Sequence, residues 1–433
     1  AQGLGGGINT VLPLVPQIGM MYLFLSFLED SGYMARAAFV MDRLMQALGL
    51  PGKSFVPLIV GFGCNVPSVM GARTLDAPRE RLMTIMMAPF MSCGARLAIF
   101  AVFAAAFFGQ QGALAVFSLY VLGIVMAILT GLMLKHTIMR GEASPFVMEL
   151  PVYHVPHLKS LVIQTWQRLK GFVLRAGKVI VIVSIFLSAL NSFTLSGQAA
   201  DNINDSALAS VSRIITPVFK PIGVHEDNWQ ATVGLFTGAM AKEVVVGTLN
   251  TLYTAEDIQN EAFNPQAFNL GDELLAAVDE TWQSLKDTFS LSVLANPIEA
   301  SKGDGEMATG AMGVMGSKFG SAAAAYSYLI FVLLYIPCIS VMGAIARESS
   351  RGWMMFSVLW GLNIAYSLST LYYQTVSFSQ HPRYSLVCIL AVVLFNIVVF
   401  GLLRRARSRV DVSLLATRKT PSSCCQSPTG DCH

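Results

Sequence analysis

The sequence predicts an all-α integral membrane protein, a polytopic helical bundle with two internal repeats, each a re-entrant hairpin plus a broken transmembrane helix. Composition points to the membrane. Charged residues are 13% of the 433, hydrophobic ones 54%, and mean hydropathy is +0.57, against about 25% charged in an ordinary soluble domain. A central apolar segment is interrupted midway by helix breakers, and its sequence returns later in the chain.

That segment, VPLIVGFGCNVPSVMGAR (residues 56–73), carries Gly61, Gly63, Cys64, Asn65 and Pro67 at its middle. Each breaker frees backbone groups that lipid cannot satisfy, so such a helix belongs beside a protein-enclosed cavity. Residues 337–347, PCISVMGAIAR, repeat SVMGA (68–72 and 340–344), with Cys64 and Cys338 upstream and Arg73 and Arg347 downstream. A second pair precedes it in the same order: Gly32-Tyr33-Met34-Ala35-Arg36 matches Gly238-Ala239-Met240-Ala241-Lys242. Two matches in one order indicate an internal duplication.

Apolar stretches long enough to cross or enter a bilayer lie at 8–28, 37–50, 54–72, 82–108, 113–134, 178–195, 229–250, 326–346, 353–376 and 384–403. The first repeat is expected over 1–134, with a hairpin at 12–48, the broken helix at 54–72 and helices at 82–108 and 113–134. A cytoplasmic loop follows at 135–178, with an amphipathic interfacial helix at 157–176. Residues 179–250 supply a transmembrane helix and the second hairpin. Residues 251–325 form an outer-face insert, with an amphipathic helix at 271–294 and a Gly/Met-rich run (Met307, Met312, Met315) read as a flexible linker rather than a metal-gathering loop. Residues 326–403 hold the second broken helix and the last two spans, and 404–433 form a cytoplasmic tail.

Lys and Arg set the sides. Lys135–Lys178 and the tail opening RRARSR are both rich in them and belong inside. Five apolar stretches separate the two, so one must turn back. Segment 229–250, interrupted at TGAMAKE, is the one the duplication indicates. This places Arg73, Arg79, Arg81, Arg347 and Arg351 inside and residues 47–54 outside. With basic residues sorted by side rather than gathered in a patch, the net charge of +3 does not indicate a nucleic-acid partner. The opening, AQGLGGGINTVLP, has no initiator Met, basic n-region or cleavage site, and reads as part of a longer protein.

The candidate site gathers at the breaks. Thiol and thioether ligands suit soft or borderline transition metals, and Cys64, Cys338, Met70, Met342, Ser68 and Ser340 converge if the repeats pack about a pseudo-twofold axis. Pro67 and Pro337 free carbonyls beside them. Cys93, in PFMSCGAR, is a lesser candidate, and Cys388 reads as a small apolar residue. Glu29, Asp30, Arg36, Lys242 and Glu243 fall at the hairpin tips, where charge is costly; they either gate the path or pair to pin the tips. Gly123, Ala127 and Gly131 form a small-residue stripe for helix packing. The tail's Cys424, Cys425, Cys432 and His433 have metal or redox potential, but a disordered tail is the plainer reading. ALGLPGKS (47–54) mimics a phosphate-binding loop without the strand such a loop requires.

The stretches LEDSGYMARAAFVMDRL, GFGCNVPSVMGARTL, PFMSCGARL, TGAMAKEVVVGTL and YIPCISVMGAIARE closely resemble the membrane domain of the bacterial ferrous iron transport protein B (FeoB) family, gamma-proteobacterial type. The resemblance runs from about residue 8 to the C-terminus, and its gate repeats look like those of concentrative nucleoside transporters. It implies Fe2+ uptake across the inner membrane, with a periplasmic insert and the gate cysteines at Cys64 and Cys338. It also implies a G domain binding GTP and Mg2+ upstream of this chain, so that this part is not itself an enzyme, and small cytoplasmic partners FeoA and FeoC. Membrane lipid and a homo-oligomer are further expected partners. Two rival readings are a nucleoside or organic-solute symporter of the same architecture and a membrane-embedded metal sensor or scaffold acting through its tail.

Overall fold

The computed structural model describes residues 14–139, 153, 156–171, 206–240, 242, 244–260 and 309–406, and every regular element among them is helical. Helices α1 (Leu14–Asp30) and α2 (Tyr33–Leu48) meet at Ser31 and Gly32. Gly32 takes φ 81°, a left-handed conformation that glycine adopts without strain. This is the expected first hairpin, described from Leu14 onward.

The chain then bends by 101° between Tyr33–Leu48 and Gly52–Gly63. Gly52 lies so close to α2 that a Cβ there would stand 2.3 Å from the Ala38 carbonyl oxygen. The Gly52 N–H donates to Asp42 Oδ1 at 2.8 Å. The phosphate-loop mimic is thus a tight connection between helices, and the chain's own carboxylate takes the donor that a phosphate would need.

Helices α3 (Phe55–Gly63) and α4 (Asn65–Gly71) are broken at Cys64, as the sequence predicts. They do not continue as one span. Ser68 Oγ donates to the Pro57 carbonyl at 2.7 Å, and a Cβ on Gly71 would touch the Pro57 ring at 3.7 Å. Fourteen residues of continuous helix would separate 57 from 71 by about 21 Å, so α4 folds back along α3 with Cys64 at the tip. Glycine at 61 admits Met91 against α3, since a side chain there would press on it at 3.0 Å.

The fold-back corrects the sidedness of residues 47–54. Lys135 Nζ donates to the Ala47 carbonyl at 3.2 Å, and Arg79 Nε to the Met139 carbonyl at 2.9 Å. Residues 47–54 therefore sit at the same end as Lys135 and Arg79 rather than opposite them, because 54–72 returns to the side it left.

Stretch 82–108 also divides, into α5 (Pro78–Met87) and α6 (Gly94–Phe103) around a 3-10 turn at Ala88–Phe90. Pro89 lacks an N–H and its ring obstructs a continuing helix. Arg96, almost fully buried, takes up the freed acceptors, donating through Nη1 to the carbonyls of Pro89 (3.0 Å) and Met91 (2.9 Å). Helix α7 (Gly112–Thr137) presses its small-residue stripe here. A Cβ at Gly123 would lie 2.8 Å from the Phe90 carbonyl oxygen, and one at Gly131 2.7 Å from Met87 Sδ. Residues 158–171 form α8, which buries Leu161, Thr165 and Leu169 and exposes Leu158, Val162, Ile163 and Trp166. That exposed apolar face is what an interfacial helix presents.

Helix α9 (Ala207–Ile215) is capped by Ser206, whose Oγ accepts from the Ala209 N–H at 3.1 Å. Helices α10 (Trp229–Met240) and α11 (Val244–Asn260) form the second hairpin. Tyr253 donates to Asn228 Oδ1 at 2.7 Å across its open end, and Gly238 lets Val245 approach at the tip. Glu243, the stretches 178–195 and 271–294, Met307 and the tail residues Cys424, Cys425, Cys432 and His433 lie outside the described residues.

Thr309–Phe319 forms helix α12, which corrects the linker reading of the Gly/Met-rich run. Met315 and Phe319 are fully buried, and Phe319 packs against Phe103, Phe107 and Tyr328 with ring centroids 5.3–5.7 Å apart. Burial of apolar side chains overrides the low helix propensity of the glycines. Helix α13 (Ala322–Leu334) is buried on all sides from Ser327 to Leu334, the pattern of a central helix. After a break at Tyr335–Cys338 comes α14 (Ile339–Glu348), and α13 and α14 run antiparallel to α15 (Arg351–Val376). Ser327 Oγ reaches the Ser369 carbonyl at 3.0 Å, and Gly361 admits the Leu334 carbonyl. Helix α16 (Pro382–Ala406) packs on α15 and leaves most of its apolar surface outward.

Candidate functional site

The three cysteines at breaks share one position. Cys64, Cys93 and Cys338 are the N-cap residues of α4, α6 and α14, and none makes a side-chain capping bond. Each begins where proline or glycine ends the preceding helix, so each thiol stands at the positive end of a helix. All are partly buried thiols. Cys64 lies within electrostatic range of the Tyr22 hydroxyl, and Cys338 within that of Tyr335, as does Arg96. Asn65, beside Cys64, donates its amide nitrogen to the Met91 carbonyl at 3.3 Å, tying the tip to the turn that precedes Cys93.

The repeated SVMGA segments meet, because α4 packs against α14. Met70, Ser340 and Met342 line one cavity of about 490 Å³ with Tyr22, Val66, Arg73, Arg168, Arg347 and Glu348. Ser68 is not part of it; it is fully buried and committed to Pro57. Neither Cys64 nor Cys338 lines this cavity. Among the described residues, no group of three or more His, Cys, Asp and Glu is placed to hold a metal ion.

Three of the hairpin-tip charges have partners among the described residues. Glu29 accepts from Arg168 Nη2 of α8 at 3.0 Å, and the Arg36 guanidinium lies 3.4 Å from the Tyr153 ring centre. Lys242, 3% exposed, donates to the Val332 carbonyl at 3.4 Å and lies 4.8 Å from the Tyr335 ring centre. Arg36 and Lys242, matched by the duplication, thus each stack on a tyrosine. Asp30 ends α1 half-buried. Glu29 also lines a second cavity of about 580 Å³ with Met34, Ala38, Val60 and Met70.

Sequence reasoning missed Glu348. Its side chain, 3% exposed, accepts from Arg73 through Nε at 2.7 Å and through Nη2, and from Arg81 Nη2 at 2.7 Å. Hydrogen bonds to Glu348 push the Arg73 guanidinium above its ordinary value. This carboxylate joins the ends of the two repeated segments. The only signal was the lone acidic residue closing SVMGAIARE, opposite arginines that the charge-sorting argument had explained by side alone.

Two folded-back hairpins, helices broken at cysteines and apolar spans together define an all-α integral membrane protein, and the chain belongs to the Gate family. The model of that family, described as nucleoside recognition, matches residues 11–107 and 173–351. Residues 116–168 match the model described as ferrous iron transport protein B C terminus. Over 433 residues the chain is 90% identical to a Salmonella typhimurium protein named Fe(2+) transporter FeoB, covering 100% of this chain and 56% of that protein. Proteins of the same name from Escherichia coli K12 and Shigella flexneri are 90% and 89% identical over 434 residues, with the same coverage. The chain therefore spans about half the length of these relatives. No solved structure matches it.

Proposed function

We propose that this chain is the membrane-embedded transport domain of a ferrous iron importer of the bacterial inner membrane. The observation that carries this reading is the pairing of helices broken at Cys64 and Cys338, with α4 packed on α14, in a chain 90% identical to proteins named Fe(2+) transporter FeoB. Fe2+ enters from the periplasm and passes the two thiols with help from carbonyls at the breaks. The hairpins carrying Glu29 and Asp30, and Lys242 and Glu243, open in alternation. Energy comes from a GTP- and Mg2+-binding G domain in the remainder of the protein, with FeoA and FeoC as cytoplasmic partners and the C-terminus inside. Self-association into a homo-oligomer is compatible with the outward apolar surface of α16.

The test is uptake of radiolabelled ferrous iron under reducing conditions, in cells lacking other iron importers. It uses the full-length protein at matched membrane expression. Cys64→Ser and Cys338→Ser are each expected to reduce uptake at least tenfold. Uptake undiminished in both variants refutes the thiol path. Uptake of a nucleoside, with iron ignored, selects the symporter reading.

A further inference from the structure

We propose that the cavity between α4 and α14 is an anion site that takes the phosphate of an acidic lipid headgroup at the cytoplasmic face. Three guanidiniums line it, from Arg73 just beyond α4, Arg168 of α8 and Arg347 of α14, against one carboxylate, Glu348. That carboxylate is already neutralised, since Arg73 and Arg81 hold both of its oxygens. Arg168 engages Glu29 through Nη2, in a pair open to solvent. Arg347 is exposed and makes no hydrogen bond or ion pair among the described residues. The lining is therefore cationic, with guanidinium donors left over.

The Ser340 hydroxyl and the Gln167 amide add further donors to this wall. A guanidinium fork meets phosphate oxygens two at a time, so the set fits an acceptor-rich anion. What surrounds the arginines makes a lipid the source. Val66, Ile339, Met342 and Met354 leave the rest of the wall apolar. Free phosphate gains nothing from such a surface, whereas the glycerol and first methylenes of a lipid bury against it. Helix α8 forms one side of the cavity, and its outward residues Leu158, Val162, Ile163 and Trp166 are those of a helix lying in the membrane interface. The distribution of Lys and Arg puts this end of the molecule inside, and basic recesses between helices on that side bind anionic headgroups. A headgroup held there touches both repeated segments and α8 at once, and so ties the three together.

The experiment is native mass spectrometry of the full-length protein, delipidated in detergent and titrated with phosphatidylglycerol, phosphatidylethanolamine or inorganic phosphate. Wild type is expected to hold one phosphatidylglycerol per chain about tenfold more tightly than phosphatidylethanolamine, whose ammonium the arginines repel. Arg168→Gln/Arg347→Gln should abolish that preference. Arg404→Gln/Arg405→Gln, at the end of α16 and outside the cavity lining, should keep it. No preference in wild type overturns the proposal, and so does a preference that survives in the folded Arg168→Gln/Arg347→Gln variant. Inorganic phosphate that displaces the lipid at equal concentration overturns the lipid as the source and assigns the cavity to free phosphate. If the double variant does not fold, Arg347→Gln alone decides, because it alters an exposed side chain with no partner among the described residues, and an unchanged preference refutes the site. Lipid binding is read without iron, so its failure is distinguishable from failure of the import reading, which the uptake assay tests with Cys64→Ser.

Discussion

Ser68 Oγ donates to the Pro57 carbonyl at 2.7 Å, across the two arms that Cys64 divides. The bond is fully buried, and it converts a broken apolar segment into a hairpin with a thiol at its tip. Ser68→Ala removes one buried neutral hydrogen bond, worth about 1 kcal/mol. The expected result is a modest fall in thermal midpoint with a larger rise in the reactivity of Cys64 toward a membrane-permeant maleimide. Unchanged Cys64 reactivity would show that the hairpin does not depend on this bond.

Gly52 and Ala38 make a close approach that no side chain at 52 can enter. A Cβ would stand 2.3 Å from the Ala38 carbonyl oxygen, and the atom opposite is backbone. Gly52→Ala should destabilise by about 3 kcal/mol, in the range of severe overpacking, and should lower membrane expression. Gly247→Ala is the control, because nothing lies within 4 Å of a Cβ there.

Thiolate ligation couples metal binding to protons. Cys64 and Cys338 must lose their protons to bind an ion tightly, so binding releases protons and weakens as pH falls. Full-length protein titrated anaerobically with Fe2+ in weak buffer should release about one proton per thiol engaged. Each Cys→Ser variant should cut that release by about half. Proton release equal to wild type in both variants counts against thiolate ligation.

Lys242 reports on the second hairpin. Its ammonium is buried against the Val332 carbonyl and the Tyr335 ring. Lys242→Leu removes a desolvated cation–π contact worth about 2 kcal/mol and, with it, the tie between the hairpin tip and the break at Cys338. Faster hydrogen exchange confined to 236–246 and 333–340 is expected. Tyr335→Phe retains the ring, and should spare that region apart from losing its 3.2 Å bond to the Leu235 carbonyl.

Glu29 and Arg168 form an ion pair with both side chains more than a third exposed, and such pairs contribute at most about 1 kcal/mol. Glu29→Gln should therefore leave the thermal midpoint nearly unchanged. A change in uptake without a change in stability assigns the pair to gating, whereas loss of stability alone makes it a structural tie.

The sequence by itself determined where this chain would break and which residues would stand there. Proline, glycine and asparagine beside Cys64 and Cys338 act locally, through missing donors and poor helix propensity, and the helices stop where those residues lie. The same reading left 82–108 as one helix, and its division at Ala88–Phe90 came from the structure. The apolar stretches and both hairpin turns were legible for the same reason. Tertiary structure decided what the breaks become. Segment 54–72 folds back because Ser68 and Gly71 find Pro57, and 309–319 is helical because Met315 and Phe319 find an aromatic core; neither partner is visible to a local pattern. Glu348 shows the limit most plainly. A single glutamate at the end of an apolar motif carries no periodicity, and Arg73 lies 275 residues away. Only the packing of α4 against α14 brings them within hydrogen-bonding distance.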